Sequence, residues 1–138
     1  MAKHIIESDG FSISLDIQVF ERDIDYPTNA VMNVRVESCG FVGCSSMDID
    51  IKQFARFCVD LSKLYETLAG SAKIEEPYGY KQFIEFKADR LGHILVFGMI
   101  RDGDTLMHEL KFQNQFEQTY LKDFSKKLAQ SYSSYLKL

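Results

Sequence analysis

"DIKQFARFCVDLSKLYETLAG", residues 50–70, breaks a run of strand-like sequence and decides the fold. Phe54, Phe57, Cys58, Leu61, Leu64, Tyr65 and Leu68 recur at three-and-four spacing, which gathers them into one apolar stripe on a helix. Lys52, Arg56, Asp60, Lys63 and Glu66 occupy the other side. Asp50 is placed to cap the first free N–H groups, and Gln53 would complete a capping box. Gly70 stands where a left-handed residue would end the helix.

Before this helix the period changes to two. In "FSISLDIQVF", Phe11, Ile13, Leu15, Ile17 and Val19 alternate with Ser12, Ser14, Asp16 and Gln18, as in a half-buried strand. The loop "ERDIDYPTN" follows, with Pro27 and Asn29 as breakers, and then a second strand, "AVMNVRVES". A third runs roughly from Phe41 to Ile49. After the helix come a short extended piece, "AKIEE", and three strands: "KQFIEFKA", "HILVFGMIR" and "TLMHELKFQ". Thr119 would cap a last helix with Leu121, Phe124, Leu128, Tyr132 and Tyr135 on one stripe. Runs of strands with short connections predict an α+β fold: an antiparallel sheet of about six strands with two helices packed on one face.

A chain of 138 residues is expected to form a single domain over 1–138, large enough to hold a core without staples. Cys39, Cys44 and Cys58 are an odd count without zinc-knuckle spacing, and they read as buried small apolar residues. No apolar run nears the roughly 18 residues of a membrane span, and "MAKHIIESDG" has no secretory h-region. A cytoplasmic protein is expected. Residues 1–60 hold five basic and ten acidic side chains, and this imbalance opposes nucleic acid as a partner and favours a basic protein.

Two of the three histidines flank the hairpin sequence "HILVFGMIRDGDTLMH", residues 93–108. Asp102-Gly103 predicts a two-residue type I′ turn, pairing Arg101 with Asp104 and Phe97 with His108. His93 and His108 would then share a face about four positions, or roughly 13 Å, apart, too far to ligate one metal. Leu95, Phe97 and Met99 would surround them, and Ile94, Val96, Gly98, Ile100 and Met107 would form a second apolar face, covered by another segment. Asp102 and Asp104 only loosely resemble a calcium loop, and the glycines form no phosphate loop. No nucleophile–base set assembles from local spacing, so neither an enzyme nor a cofactor is expected.

The remaining candidates are acidic loops interleaved with tyrosine: Glu21, Asp23, Asp25 and Tyr26; Glu75, Glu76, Tyr78 and Tyr80; and Asp102 with Asp104 at the hairpin tip. Carboxylates steer a basic surface and the rings add contact area, which suits partner binding.

The ordered set "FSISLDIQVF", "DIDYP", "AVMNVRVES", the helix "IKQFARFCVDLSKLYETLAG", "IEEPYGYKQFIEFKA" and "HELKF" resembles the WapI-like immunity proteins of bacterial polymorphic and contact-dependent toxin systems. Glu76-Pro77 followed by Phe83 to Phe86 carries much of the likeness, and the family's tryptophans are absent. The resemblance implies a non-enzymatic inhibitor that binds a cognate toxin domain and blocks its active site, with a basic nuclease as a fitting target. A second reading is an adaptor or homodimer built on the apolar hairpin face, and a third is a small-ligand binder or enzyme.

Overall fold

The computed structural model describes residues 2–79, 81–89, 91–102 and 107–137. It contains eight strands in two sheets, not about six in one. Strands β1 (Ala2–Ser8), β2 (Phe11–Val19), β3 (Ala30–Ser38) and β4 (Phe41–Ile49) form the first sheet as an antiparallel meander. Helix α1 (Ile51–Thr67) then carries the chain to a second meander of β5 (Ser71–Glu75), β6 (Phe83–Ala88), β7 (His93–Asp102) and β8 (His108–Glu117). Helix α2 (Lys122–Tyr132) follows, with short 3-10 turns at Gln118–Leu121 and Ser133–Lys137.

Two sheets form because each meander has one apolar face, and turning these faces together removes both from water. Ile13, Leu15 and Ile17 of β2 and Met32, Val34 and Val36 of β3 are all buried on the first. Ile74, Ile84, Phe86, Ile94, Val96 and Ile100 are buried on the second. The sheets meet closely at Gly43, where a Cβ would lie 3.0 Å from Ile100 and 3.1 Å from Leu110. Farther along, the helices fill the space. Helix α1 rests on β5 and α2, while α2 lies along β1. Phe54, Phe57, Phe86, Phe124 and Tyr132 interlock there.

Strand β1 carries no legible alternation, because Ile5 and Ile6 are adjacent and the inward series includes His4. Asp50 caps α1 as expected, accepting from Lys52 N at 3.0 Å. The helix ends two residues earlier than Gly70 suggested: Leu68 itself takes the left-handed conformation and donates its N–H to Leu64 O at 2.8 Å. Thr119 does not cap α2, which is preceded instead by the 3-10 turn. Only Cys58 is buried. Cys39 and Cys44 are exposed, the first in the β3–β4 turn at positive φ and the second on the outer face of β4.

The expected hairpin register is also overturned. Asp102 pairs with His108 and His93 with Glu117, leaving five residues between the paired ends instead of two. Gly103 and Asp104 lie outside the described residues. The shift moves every β8 side chain to the other face. It brings Phe112 and Phe116 inward against Gly98 and Ile94, where both are buried. Burying two phenylalanines contributes roughly 1.5–3 kcal/mol each, which outweighs a local turn preference. The even-numbered face of β7 is covered, as expected. Met107 is not part of it and stands 60% exposed.

His4 faces inward beside Tyr132, with ring centroids 5.6 Å apart and Nε2 sealed without a hydrogen-bond partner. Burial, and next Lys127, hold its pKa below the ordinary value, opposed by Asp16. The folded chain thus resists a proton that the unfolded chain accepts near pH 6.5, so stability falls as pH drops below that value. Urea midpoints at about pH 5 and about pH 7.5 should differ more for the native chain than for His4→Phe. Equal differences would remove His4 from the account.

Candidate functional site

The β5–β6 loop wraps around the edge strand β4 and builds a surface cleft. Gln82, 1% exposed, donates from Nε2 to Ser46 O at 3.0 Å. Its Oε1 accepts from Arg101 N at 2.9 Å and also meets the Ser45 hydroxyl, which lies 2.8 Å from the Arg101 carbonyl. Glu76, 7% exposed, accepts from Asp48 N and Gln82 N, each at 3.4 Å. Such satisfied buried polar groups fix the loop's position, since breaking one bond strands its partner away from water.

This seam joins the two sheets and raises a wall over the outer face of the first. The resulting open cleft holds about 990 Å³. Its floor is the polar side of β1 to β4, including Lys3, Asp16, Asn33, Arg35, Ser46 and Asp48. Its wall is Glu76, Tyr78, Gly79, Gln82, Arg101 and Asp102, and Thr28 of the β2–β3 loop reaches it. Charges of both signs line it, so it is patterned instead of uniformly acidic.

Of the candidate residues read from sequence, the fold gathers Glu76, Tyr78 and Asp102 at this cleft. Tyr78 is 64% exposed on its rim, while Glu76 is part of the buried seam. Glu75 points to the outer face of the second sheet, where it pairs with Lys73 at 3.0 Å. Glu21, Asp23, Asp25 and Tyr26 are exposed in the neighbouring β2–β3 loop and do not line the cleft. Tyr80 and Asp104 lie outside the described residues. Glu21 accepts from the Tyr135 hydroxyl at 2.9 Å, which ties the loop to the chain's last turn. Burial first, and then this bond, raise the pKa of Tyr135.

Asn29 anchors that loop from inside. At 1% exposure it accepts Ile51 N at 2.7 Å and donates from Nδ2 to Ile24 O at 3.0 Å and Tyr26 O at 3.2 Å. In the sequence it is an ordinary turn residue, and its role follows from the helix start being folded beside the loop. Asp48, Gln82, Arg35 and Lys3 were also missed as cleft residues. The alternation of β2 to β4 marks the polar face, but nothing local says that a loop 30 residues later walls it.

His93 and His108 face opposite sides of the second sheet and do not share a face as expected. They stand nine positions apart along the ladder, which at about 3.3 Å per residue is roughly 30 Å. His93 has a partner that the sequence concealed: Asp89 Oδ2, 3.4 Å from Nδ1. The same carboxylate accepts from Leu91 N at 2.8 Å and His93 N at 2.9 Å, so it closes the β6–β7 turn. These bonds, led by the one from His93 N, lower the Asp89 pKa. Among the described residues no three His, Cys, Asp or Glu side chains are grouped to hold a metal ion. No helix among them is long and apolar enough to cross a membrane.

Two sheets seamed by buried polar side chains, with loops raised around an open, mixed-charge cleft, form a scaffold suited to the protein-binding class that includes immunity proteins. The chain matches the model of the Immunity protein WapI-like family over residues 4–136, and it belongs to that family. No curated protein matches it. Such families are generally non-enzymatic, and membership implies that the chain binds and neutralises a toxin protein.

Proposed function

We propose that the protein neutralises a cognate toxin in the cytoplasm by covering the toxin's active site with the cleft rim and the adjoining β2–β3 loop. The observation that carries this reading is the convergence of the β5–β6 loop, the end of β7 and Thr28 on one surface of a family member. Tyr78 serves as one anchor ring and Tyr26 of the β2–β3 loop as a second, both 64% exposed. Asp23, Asp25 and Asp102 steer a basic target, and a nuclease fits the chain's net charge of −4. Glu21 extends the contact and Glu76 holds the wall in place; Glu75 faces away from this surface, and Tyr80 and Asp104, outside the described residues, are kept as candidates from the sequence. No cofactor takes part.

Binding of the toxin domain, followed with and without its substrate across a range of salt, tests this. Tyr78→Ala should weaken the complex by about thirtyfold or more, mainly through faster release. Neutralising Asp23, Asp25 and Asp102 together should slow association and flatten its salt dependence. Affinity unchanged by all four substitutions would move the interface elsewhere. A toxin–inhibitor complex that still bound substrate would end the occlusion mechanism.

A further inference from the structure

Each sheet leaves two edges, and an edge strand exposes backbone donors and acceptors that can pair with another chain unless something guards them. Strand β1 carries Lys3 and Glu7 and has α2 packed along it. Strand β4 is covered from Ser45 to Asp48 by the wrapping loop. Strand β5 has only five residues, includes Lys73 and Glu75, and lies against α1.

Strand β8 differs. It is ten residues long and, among the described residues, pairs only with β7. On its outer face, exposed Lys111 and Glu117 bracket exposed, uncharged Gln113 and Gln115. The middle of the longest edge therefore lacks the charge that usually discourages pairing.

Its side chains are also self-complementary in one register. For two β8 strands running antiparallel about a two-fold axis at Asn114, Lys111 of each copy stands opposite Glu117 of the other. Gln113 then stands opposite Gln115. A two-fold one residue earlier, at Gln113, would set Glu109 against Glu117 twice, and like charges directly opposed are destabilising. We propose that β8 pairs with β8 of a second copy in the Asn114 register, joining two four-stranded sheets into one continuous sheet. None of the paired residues lines the cleft, so both copies keep it open.

Sedimentation across a wide concentration range tests the proposal. The native chain should pass from its 15.9 kDa monomer toward twice that mass. Lys111→Glu alone and Glu117→Lys alone should each weaken dimerisation by at least about tenfold, because each sets two like-charge pairs across the axis. Mixing the two variants should restore the dimer, since every Glu then faces a Lys. Both positions are exposed, so each variant should keep the native far-ultraviolet spectrum and, at concentrations where the native chain is monomeric, its melting temperature. A native chain that stays monomeric at every concentration would overturn the proposal. So would a dimer indifferent to both single changes, or variants that do not recover on mixing.

Discussion

Gly98→Ala is expected to destabilise the protein by about 3 kcal/mol or more, at or beyond the upper end of ordinary overpacking costs. Gly98 sits in the middle of β7 on the buried face, between Ile84 of β6 and Phe112 of β8. An added Cβ would lie 2.3 Å from the Phe83 carbonyl oxygen, 2.9 Å from Phe112 Cζ and 3.2 Å from Ile84 Cα. The ring can shift, but two of the three obstacles are backbone of a paired strand and can move only by deforming the ladder. Adding Phe112→Leu to Gly98→Ala should thus recover less than half of the loss. Urea denaturation of both variants measures this, and a loss below about 1 kcal/mol for the single change would show that β6 yields easily.

Asn29→Ala is expected to cost about 2–4 kcal/mol. The substitution removes one acceptor and one amide donor group, leaving Ile51 N–H and the carbonyls of Ile24 and Tyr26 without their side-chain partner. A buried group left unsatisfied costs roughly 1–3 kcal/mol, and the helix start and the loop lose their common anchor together. The local signature should be faster amide hydrogen exchange over residues 20–29 than in β2 or β3. A midpoint shift worth less than about 1 kcal/mol would mean that water replaces the amide.

Three of the four strands before α1, β2 to β4, were readable because one face of each meets the core and the other meets water, whereas β1 was not. Ala30–Ser38 and Phe41–Ile49 fall where alternation and the glycine punctuation place them. Helix α1 was readable for the same reason at a different period. The β7–β8 register was not. Asp-Gly is a strong signal only while nothing larger opposes it, and here Phe112 and Phe116 had to face inward.

The candidate site was less legible because its parts come from both sides of α1. Tyr78 and Asp102 are visible as turn residues of plausible chemistry, yet their common cleft depends on the loop crossing β4. Glu76 shows the limit most clearly. Beside Glu75 it reads as half of an acidic pair, but one carboxylate reaches solvent with Lys73 while the other is sealed against Asp48 N and Gln82. Neighbours in the sequence take opposite sides of a strand, so adjacency says little about shared function.

The cleft also straddles the seam where Ser45 of one meander meets Gln82 and Arg101 of the other. A ligand seated there gains its contacts only while the two meanders are docked, so occupancy and docking are thermodynamically linked. At a ligand concentration about a hundredfold above its dissociation constant, that linkage adds roughly 2.7 kcal/mol to the folded state. Protection of the cell would then bring protection of the inhibitor: the bound form spends far less time opened toward proteases than the same chain waiting alone.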